Sequence, residues 1–328
     1  MEAMDYVRHW LPRVSRSFAP SIARLDEPLE LAVGIAYLLC RVVDTIEDAQ
    51  HLSWKDRCEL FARFERALEG EADDFVALAR SSFEDGDDDD QALTCASADL
   101  FLYHSQLSCL ERGAMNPSIH EMAAGMEVYA RRRQEHDYVV LADEADLFEY
   151  CHIVAGTVGT LLTNLFVLHE EVAHPEELRC REESFAQALQ RVNIAKDLAD
   201  DFLRGWQFIP EELCVGFAPK QLLDEDVRAA VLHAHERFCD RASPFLDEAM
   251  EYTLLLPAGG SARRFCLVPL FLAQATYNLI RGNPIVIHGQ GTAKIDKLEA
   301  LELFQFIDSH FSDDDALRRR WETLKETA

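Results

Sequence analysis

The chain is 328 residues long, and its 59 acidic against 32 basic residues leave a net charge of −27. That charge excludes nucleic acid and anionic lipid as electrostatic partners, but leaves open an anionic substrate bridged by metal cations. Nine cysteines, an odd number without a CxxC pair or a Cys/His cluster, predict reduced thiols in a cytoplasmic protein and no zinc site.

The predicted elements follow one another as helices. The start, MEAMDYVRHWLPRVSRSF, disperses its apolar residues among charges, so no signal peptide is expected. A break across Pro20 to Pro28 precedes YLLCRVVDTIED. There Asp44, Glu47 and Asp48 stand at i, i+3 and i+4, and Tyr37 and Arg41 extend the same helical face upstream. Segments such as CELFARFERALEG carry apolar residues at helical spacing. The acidic run Glu84 to Asp90 lacks the alternating ligands and closing Glu of a calcium loop, and reads as a solvated loop. Further breaks are expected at Asn116-Pro117, His174-Pro175, Pro210 to Pro219, Pro257 to Gly260 and Gly282 to Gly291.

The stretch YCHIVAGTVGTLLTNLF, 150–166, sets Ala155, Gly156 and Gly159 inside an apolar helical pattern. Each glycine costs a helix roughly 1 kcal/mol, so either a neighbouring helix or a long apolar ligand must come close to the backbone there. Next, NIAKDLADDFLRGWQFIP would stack Asn193, Asp197, Asp200 and Asp201 along one side of a second acidic helix. His233 and His235 have no partners at metal-ligand spacing and read as ordinary helix surface. RRFCLVPLFLAQATY, around Pro269, reads as core. The longest apolar run, Cys266 to Ile280, falls short of the roughly 20 residues that span a bilayer, so a soluble chain is expected. With few period-2 alternations and no long linker, the whole reads as one all-α domain.

Like charges three and four residues apart destabilise a helix unless a cation neutralises them. Hard divalent cations such as Mg2+ prefer oxygen ligands and are commonly shared between one or two carboxylates and a substrate phosphate. Apolar residues flank both acidic stretches and would draw their helices inward, so the two faces are expected to be walls of one cavity. Arg16, Arg41 and Lys196 are candidates for the phosphate's remaining charge. A metal-loaded mouth with an apolar interior suits an anionic head on a hydrocarbon tail.

The ordered set SRSF, YLLCRVVDTIED, YCHIVAGTVG, NIAKDLADD followed by GWQFIP, and FCLVP resembles the squalene/phytoene synthase family, on its squalene synthase side, from about Ser15 to Lys294. The resemblance implies an all-α, single-domain isoprenoid (terpenoid) synthase fold over residues 1–328, with a central cavity between two aspartate-rich helices and a helical tail over 295–328. It implies that Asp44, Glu47, Asp48, Asn193, Asp197 and Asp201 hold Mg2+, with Mn2+ as a substitute, and that Asp200 is an additional acidic member. Arg16, Arg41 and Lys196 would contact diphosphate, and Arg16, Lys196 and Lys294 would hold the phosphates of NADPH. Ser15, Phe18, Tyr37, Gln190, Phe265 and Cys266 would line the substrate pocket, with Phe265 steadying a carbocation by its ring face. The implied reaction joins two farnesyl diphosphates head to head through presqualene diphosphate and reduces the product to squalene with NADPH. Tyr150 is the implied proton-transfer residue. With an ordinary pKa of about 10 a tyrosine is a weak base, so released diphosphate is its expected helper.

Two departures bear on the reduction. Trp206 stands where the family commonly has Arg, and RGNPIVIHG offers Ile285 to Ile287, with His288 and Lys294 nearby, in place of a Lys-x-Arg pair that holds NADPH phosphates. A relative that stops at presqualene diphosphate, or makes dehydrosqualene or phytoene, is the alternative. A non-catalytic helical assembly factor is a third reading, and the two intact acidic motifs count against it. The charged ending RRRWETLKETA shows no membrane anchor. A soluble, bacterial-type cytoplasmic monomer is therefore expected, touching a membrane transiently to release its product.

Overall fold

Apolar residues recurring every three to four positions make most of this chain helical, as the periodicity predicts. The computed structural model describes residues 2–15, 18–83, 86, 88–136, 138–289 and 293–326. Among them, strand is confined to a two-residue parallel pairing of Val139–Val140 with Trp206–Gln207. The chain forms two compact units: Met1–Glu135 with Thr160–Glu171, and His136–Gly159 with Val172–Ala328.

The first unit is built around the helix Leu29–Asp48, whose Val33, Ile35, Leu38, Leu39, Val42, Val43 and Ile46 are buried. It packs against Ala3–Val14, Trp54–Leu68 and Cys109–Glu135. Gly34 permits the first of these contacts, because a methyl there would lie 2.4 Å from Val7 Cγ1. Nearby, Phe64, Phe75 and Phe101 meet edge to face with ring centres 5.5–5.8 Å apart. Phe101→Leu keeps the site apolar but removes two ring contacts and some side-chain volume. It is expected to cost about 1–2 kcal/mol, read as a lower urea midpoint at unchanged m-value.

Two predicted breaks are corrected in this unit. Cys109–Glu135 is one 27-residue helix that runs through Pro117. A proline removes a single intrahelical bond, and packing against Leu29–Asp48 and Trp54–Leu68 outweighs that loss. The acidic run is not a plain solvated loop either. Asp88 caps the helix Asp89–Cys95, its Oδ1 accepting from the backbone N–H groups of Asp90 and Gln91 at 3.0 and 3.2 Å. Glu84, Asp85 and Asp87 of that run lie outside the described residues.

In the second unit the helices Pro175–Lys196 and Arg228–Leu255 make the most extensive pairing, and Ser261–Ile280 packs on both. Ser261–Ile280 also runs through its proline, Pro269, and buries Phe265, Cys266, Leu267, Val268, Leu270 and Phe271, as expected of core. His235 is not surface. It is buried, and its Nε2–H donates to the Ala195 carbonyl at 2.9 Å, in the last turn of Pro175–Lys196 where helix carbonyls lack partners of their own. Burial lowers its pKa, so the ring is neutral. His233, two positions earlier, is exposed as predicted.

The longest apolar helix is also not the predicted one. Glu144–His169, 26 residues, is the one helix among those described that is long and apolar enough to cross a membrane by length and composition, and half of its most apolar window is buried within the protein. The acidic residues at its start hide it from a search for uninterrupted apolar runs.

Candidate active site

The first acidic face lies in the last two turns of Leu29–Asp48. Arg41 donates from Nη1 to Asp44 Oδ2 at 2.7 Å and, from Nε and Nη2, forks onto both oxygens of Asp90 at 3.3 and 2.8 Å. Asp90 was missed as a site residue. The signal was there in the Asp88-x-x-Gln91 helix start ahead of an apolar run, but the surrounding charge masked it. Arg41 has five N–H donors, and these three bonds leave two for another ligand. One turn upstream, the Tyr37 hydroxyl bonds the Ser15 side chain, and burial raises its pKa. The Phe18 backbone N–H donates to Ser15 Oγ at 3.0 Å, and the Phe18 and Tyr37 rings lie 6.0 Å apart. The structure therefore gathers Ser15, Phe18, Tyr37, Arg41 and Asp44 in one place. Arg16 lies outside the described residues. A cleft of about 140 Å³ adjoins the group, lined by Arg41, Thr45, Asp48, His51, Asp88 and Asp90 among others.

This face is electrostatically strained. Burial, partly offset by Arg41 and reinforced by Asp48 and Asp90, pushes the Asp44 carboxyl up to about 6. Glu47 is also held well above the usual carboxylate range, by burial first and then by Asp48 and Asp44. By exposed area Asp44 is only partly covered, with 28% of its side chain accessible. The protein packed around it nevertheless makes desolvation the leading cause.

The second face is arranged differently from the single helix predicted. Pro175–Lys196 ends at Asp197, whose backbone (φ −96°, ψ 19°) turns into the short helix Leu198–Leu203. The backbone bonds Asp197 N–H to Asn193 O and Asp201 N–H to Asp197 O, both 2.9 Å, carry the helical rise through the turn. Asn193, Asp197 and Asp201 therefore remain about one turn apart. Lys196 pairs with Asp197 at 3.2 Å, and Arg204, which sequence reasoning passed over, pairs with Asp201. Burial raises the Asp201 carboxyl to about 6, against the pull of Arg204 and with the repulsion of Asp197 and Asp200. Asp200 sits under Gly289, where a methyl would lie 3.0 Å from its Oδ1.

Tyr150 belongs to this second unit, as do Gln190, Phe265, Cys266 and Lys294. Its ring stacks on Phe208 at 4.4 Å, and Trp206 lies nearly parallel to Phe208 at 5.2 Å. Gln190 is half-buried, Phe265 and Cys266 are buried, and Lys294 is exposed with no ion-pair partner among the described residues. Gly159 answers the question its position raised: a methyl there would meet the Glu182 carbonyl at 3.0 Å and Ala186 Cβ at 3.3 Å, so a neighbouring helix is what comes close.

The donors on both faces are oxygens, which suits Mg2+ or Mn2+ and not a soft metal. No group of three or more His, Cys, Asp or Glu side chains stands ready to hold an ion among the described residues. Raised carboxylate pKa values on each face are what a cation would relieve, with phosphate oxygens completing its shell. The fit to NADPH is poorer. Lys196 is engaged with Asp197, Lys294 has no ion-pair partner among the described residues, and in Pro284–Ile287 aliphatic side chains, Val286 buried among them, stand where cations were expected.

Helices throughout, with an oxygen-rich face closing a long helix in each unit, define an all-α isoprenoid synthase. Residues 11–299 match the squalene/phytoene synthase family, and the chain belongs to that family. It is 30% identical to a squalene synthase of Candida albicans over 286 residues, 84% of this chain and 61% of that one. It is 28% identical to that of Schizosaccharomyces pombe over 300 residues, 89% and 62% respectively. The chain thus spans about three fifths of the length of these curated relatives. Among solved structures, TcSQS with the ligand BPH1237 superposes with a TM-score of 0.84 at 23% identity, covering 100% of this chain and 91% of its own. A dehydrosqualene synthase in complex with ligand superposes at 0.68 and 18% identity, covering 94% and 96%. Both likenesses are of fold.

Proposed function

We propose that this chain is a prenyltransferase that joins two farnesyl diphosphates head to head into presqualene diphosphate and reduces that intermediate to squalene with NADPH. The observation that carries the reading is the pair of strained acidic faces, each with a carboxyl raised to about 6, Asp44 half-buried and Asp201 buried, and each with a basic partner in contact. Asp44, Glu47 and Asp48 on one face, and Asn193, Asp197 and Asp201 on the other, would hold Mg2+, which when bound supplies positive charge for the diphosphate oxygens. The two N–H groups left on Arg41 donate to the departing diphosphate, where negative charge grows as the allylic C–O bond breaks. Ser15, Phe18 and Tyr37, gathered beside Arg41, shape the approach of the prenyl chain. Tyr150, its ring fixed against Phe208, positions a hydroxyl to pass the proton lost on ring closure, while the buried Trp206 and Phe208 rings stacked beside it keep water away.

A second reading has a specific observation in its favour. The aliphatic segment Pro284–Ile287 offers no cations for NADPH phosphates, which suits a synthase that stops at presqualene diphosphate or yields dehydrosqualene. Incubation with farnesyl diphosphate and Mg2+, with and without NADPH, separates the two. Squalene formed only with NADPH supports the first reading. Presqualene diphosphate or dehydrosqualene regardless of NADPH supports the second. A C40 product from geranylgeranyl diphosphate would overturn the substrate assignment, and absence of diphosphate release would overturn both readings.

A further inference from the structure

The segment that carries Tyr150 owes its shape to one wide turn. The helix Glu144–Cys151 runs into a π turn, His152–Gly156, in which the Thr157 N–H reaches back five residues to the His152 carbonyl, before an α-helix resumes at Thr157–His169. Such a turn inserts a residue into an α-helix and is rare, appearing mostly at functional sites. At this turn His152 Nδ1 and Glu183 Oε2 lie 2.7 Å apart. Gln187 Nε2 donates to the other Glu183 oxygen at 2.7 Å and to the Phe148 carbonyl at 3.0 Å, while Gln187 Oε1 accepts from Arg191 Nε at 3.0 Å. Arg191, its side chain fully buried, reaches Glu144 at 2.6 Å with its guanidinium 4.6 Å from the Phe245 ring centre. One continuous polar chain thus ties both ends of the Tyr150 helix to Pro175–Lys196.

Gly156 makes the room for it. A methyl at that position would lie 2.5 Å from Glu183 Oε2 and 2.6 Å from His152 Nδ1, inside any real contact distance. His152, Gly156 and Gly159 face Pro175–Lys196. At about 100° per residue, Tyr150, Val154 and Val158 fall on roughly the opposite side. All three are half-buried. Whatever fixes the roll of this helix on its neighbour therefore fixes where Tyr150 points.

We propose that Glu183, seated against His152 in the space left by Gly156, is a positioning residue that sets the roll of the Tyr150 helix against the helix bearing Asn193 and Lys196, and so the aim of the Tyr150 hydroxyl. The proposal rests on the proton-transfer role given to Tyr150 above. Misplacing a reacting group by about an ångström slows a reaction by as much as a hundredfold while leaving remote binding contacts alone.

Two mutant cycles test it on the full chain, with melting temperature, kcat and KM for farnesyl diphosphate as readouts. In the first, Gly156→Ala lowers the melting temperature on its own but costs less in a Glu183→Ala background, because one of the two groups that the methyl meets is gone and the His152 ring, released from Glu183, can turn away from it. In the second, Glu183→Ala lowers kcat about ten- to hundredfold with KM changed less than about twofold, and adds no further loss of kcat in Tyr150→Phe. Glu183→Gln, which keeps the shape and a bond to His152, retains kcat within about threefold. Additive melting costs in the first cycle, or an equal kcat loss from Glu183→Ala with and without the Tyr150 hydroxyl, overturns the proposal. If Gly156→Ala does not fold, the second cycle decides alone. A wild-type protein that releases no diphosphate overturns the functional reading and this proposal together, whereas an active wild type with additive cycles overturns this proposal only.

Discussion

Asp44→Asn is expected to slow diphosphate release on the order of 10³-fold, the scale of losing one group that stabilises transition-state charge, and yet to raise the melting temperature of the metal-free protein. The two effects share a cause. Asn has the size of Asp and can accept the Arg41 bond now made at 2.7 Å, but it carries no charge for burial and for Asp48 and Asp90 to oppose. A rise of the carboxyl pKa from 3.8 to about 6 is worth up to about 3 kcal/mol at neutral pH. With 28% of the Asp44 side chain accessible, solvent screening leaves about half of that, roughly 1–2 kcal/mol. Thermal unfolding in EDTA reads the gain, expected at about 1–2 °C per kcal/mol for a chain of this length, and a coupled diphosphate assay reads the loss. Asp197→Asn on the other face should match the loss of release. Release unchanged in either variant would remove the basis for a metal-dependent prenyltransferase and favour a helical protein without catalysis.

Much of this site is legible in the sequence because its information is local. Asp44, Glu47 and Asp48 share a helical face by spacing alone, and so do Tyr37 and Arg41. The glycines of 150–166 announce a close approach, although the sequence cannot name Glu183, His152 and the Glu182 carbonyl as the atoms that approach. What stays hidden depends on partners far along the chain. Asp90 meets Arg41 across 49 positions, and His235 is drawn inside by a carbonyl 40 positions away. Pro117 shows the converse: a residue that breaks isolated helices sits inside one because packing on two neighbours decides the matter. Asp197 is intermediate, since periodicity places it correctly but does not reveal that the helix turns there.

Lowering the pH of metal-free protein from 7.5 to 5.5 is expected to stabilise the wild type relative to an Asp44→Asn/Asp201→Asn double variant, by about 1–2 kcal/mol in all. The direction runs against the usual behaviour of carboxylates. Both groups titrate at about 6 in the folded chain and at 3.8 when unperturbed, so between those values the native state binds more protons than the unfolded one. Stability therefore falls as pH rises through that window, and the full cost is present above about pH 6. Glu47, also raised, adds to the trend, and because Asp44 is one of the charges that raise it, its share is smaller in the variant and widens the difference in the same sense. His235 and His104 act in the opposite sense: burial lowers their pKa values, so below about pH 6.5 the unfolded chain takes up protons that the folded one refuses. The two histidines cancel between wild type and variant, which is why the difference between the two stability curves, and not either curve alone, carries the sign. At pH 7.5 millimolar Mg2+ with inorganic diphosphate should supply the same relief that protons give at 5.5, raising the wild-type melting temperature and leaving the double variant almost unmoved. Equal Mg2+-diphosphate shifts in both proteins would mean that the ion binds away from Asp44 and Asp201. A difference curve that rises with pH would mean that these carboxylates are stabilised by their basic partners rather than strained by burial.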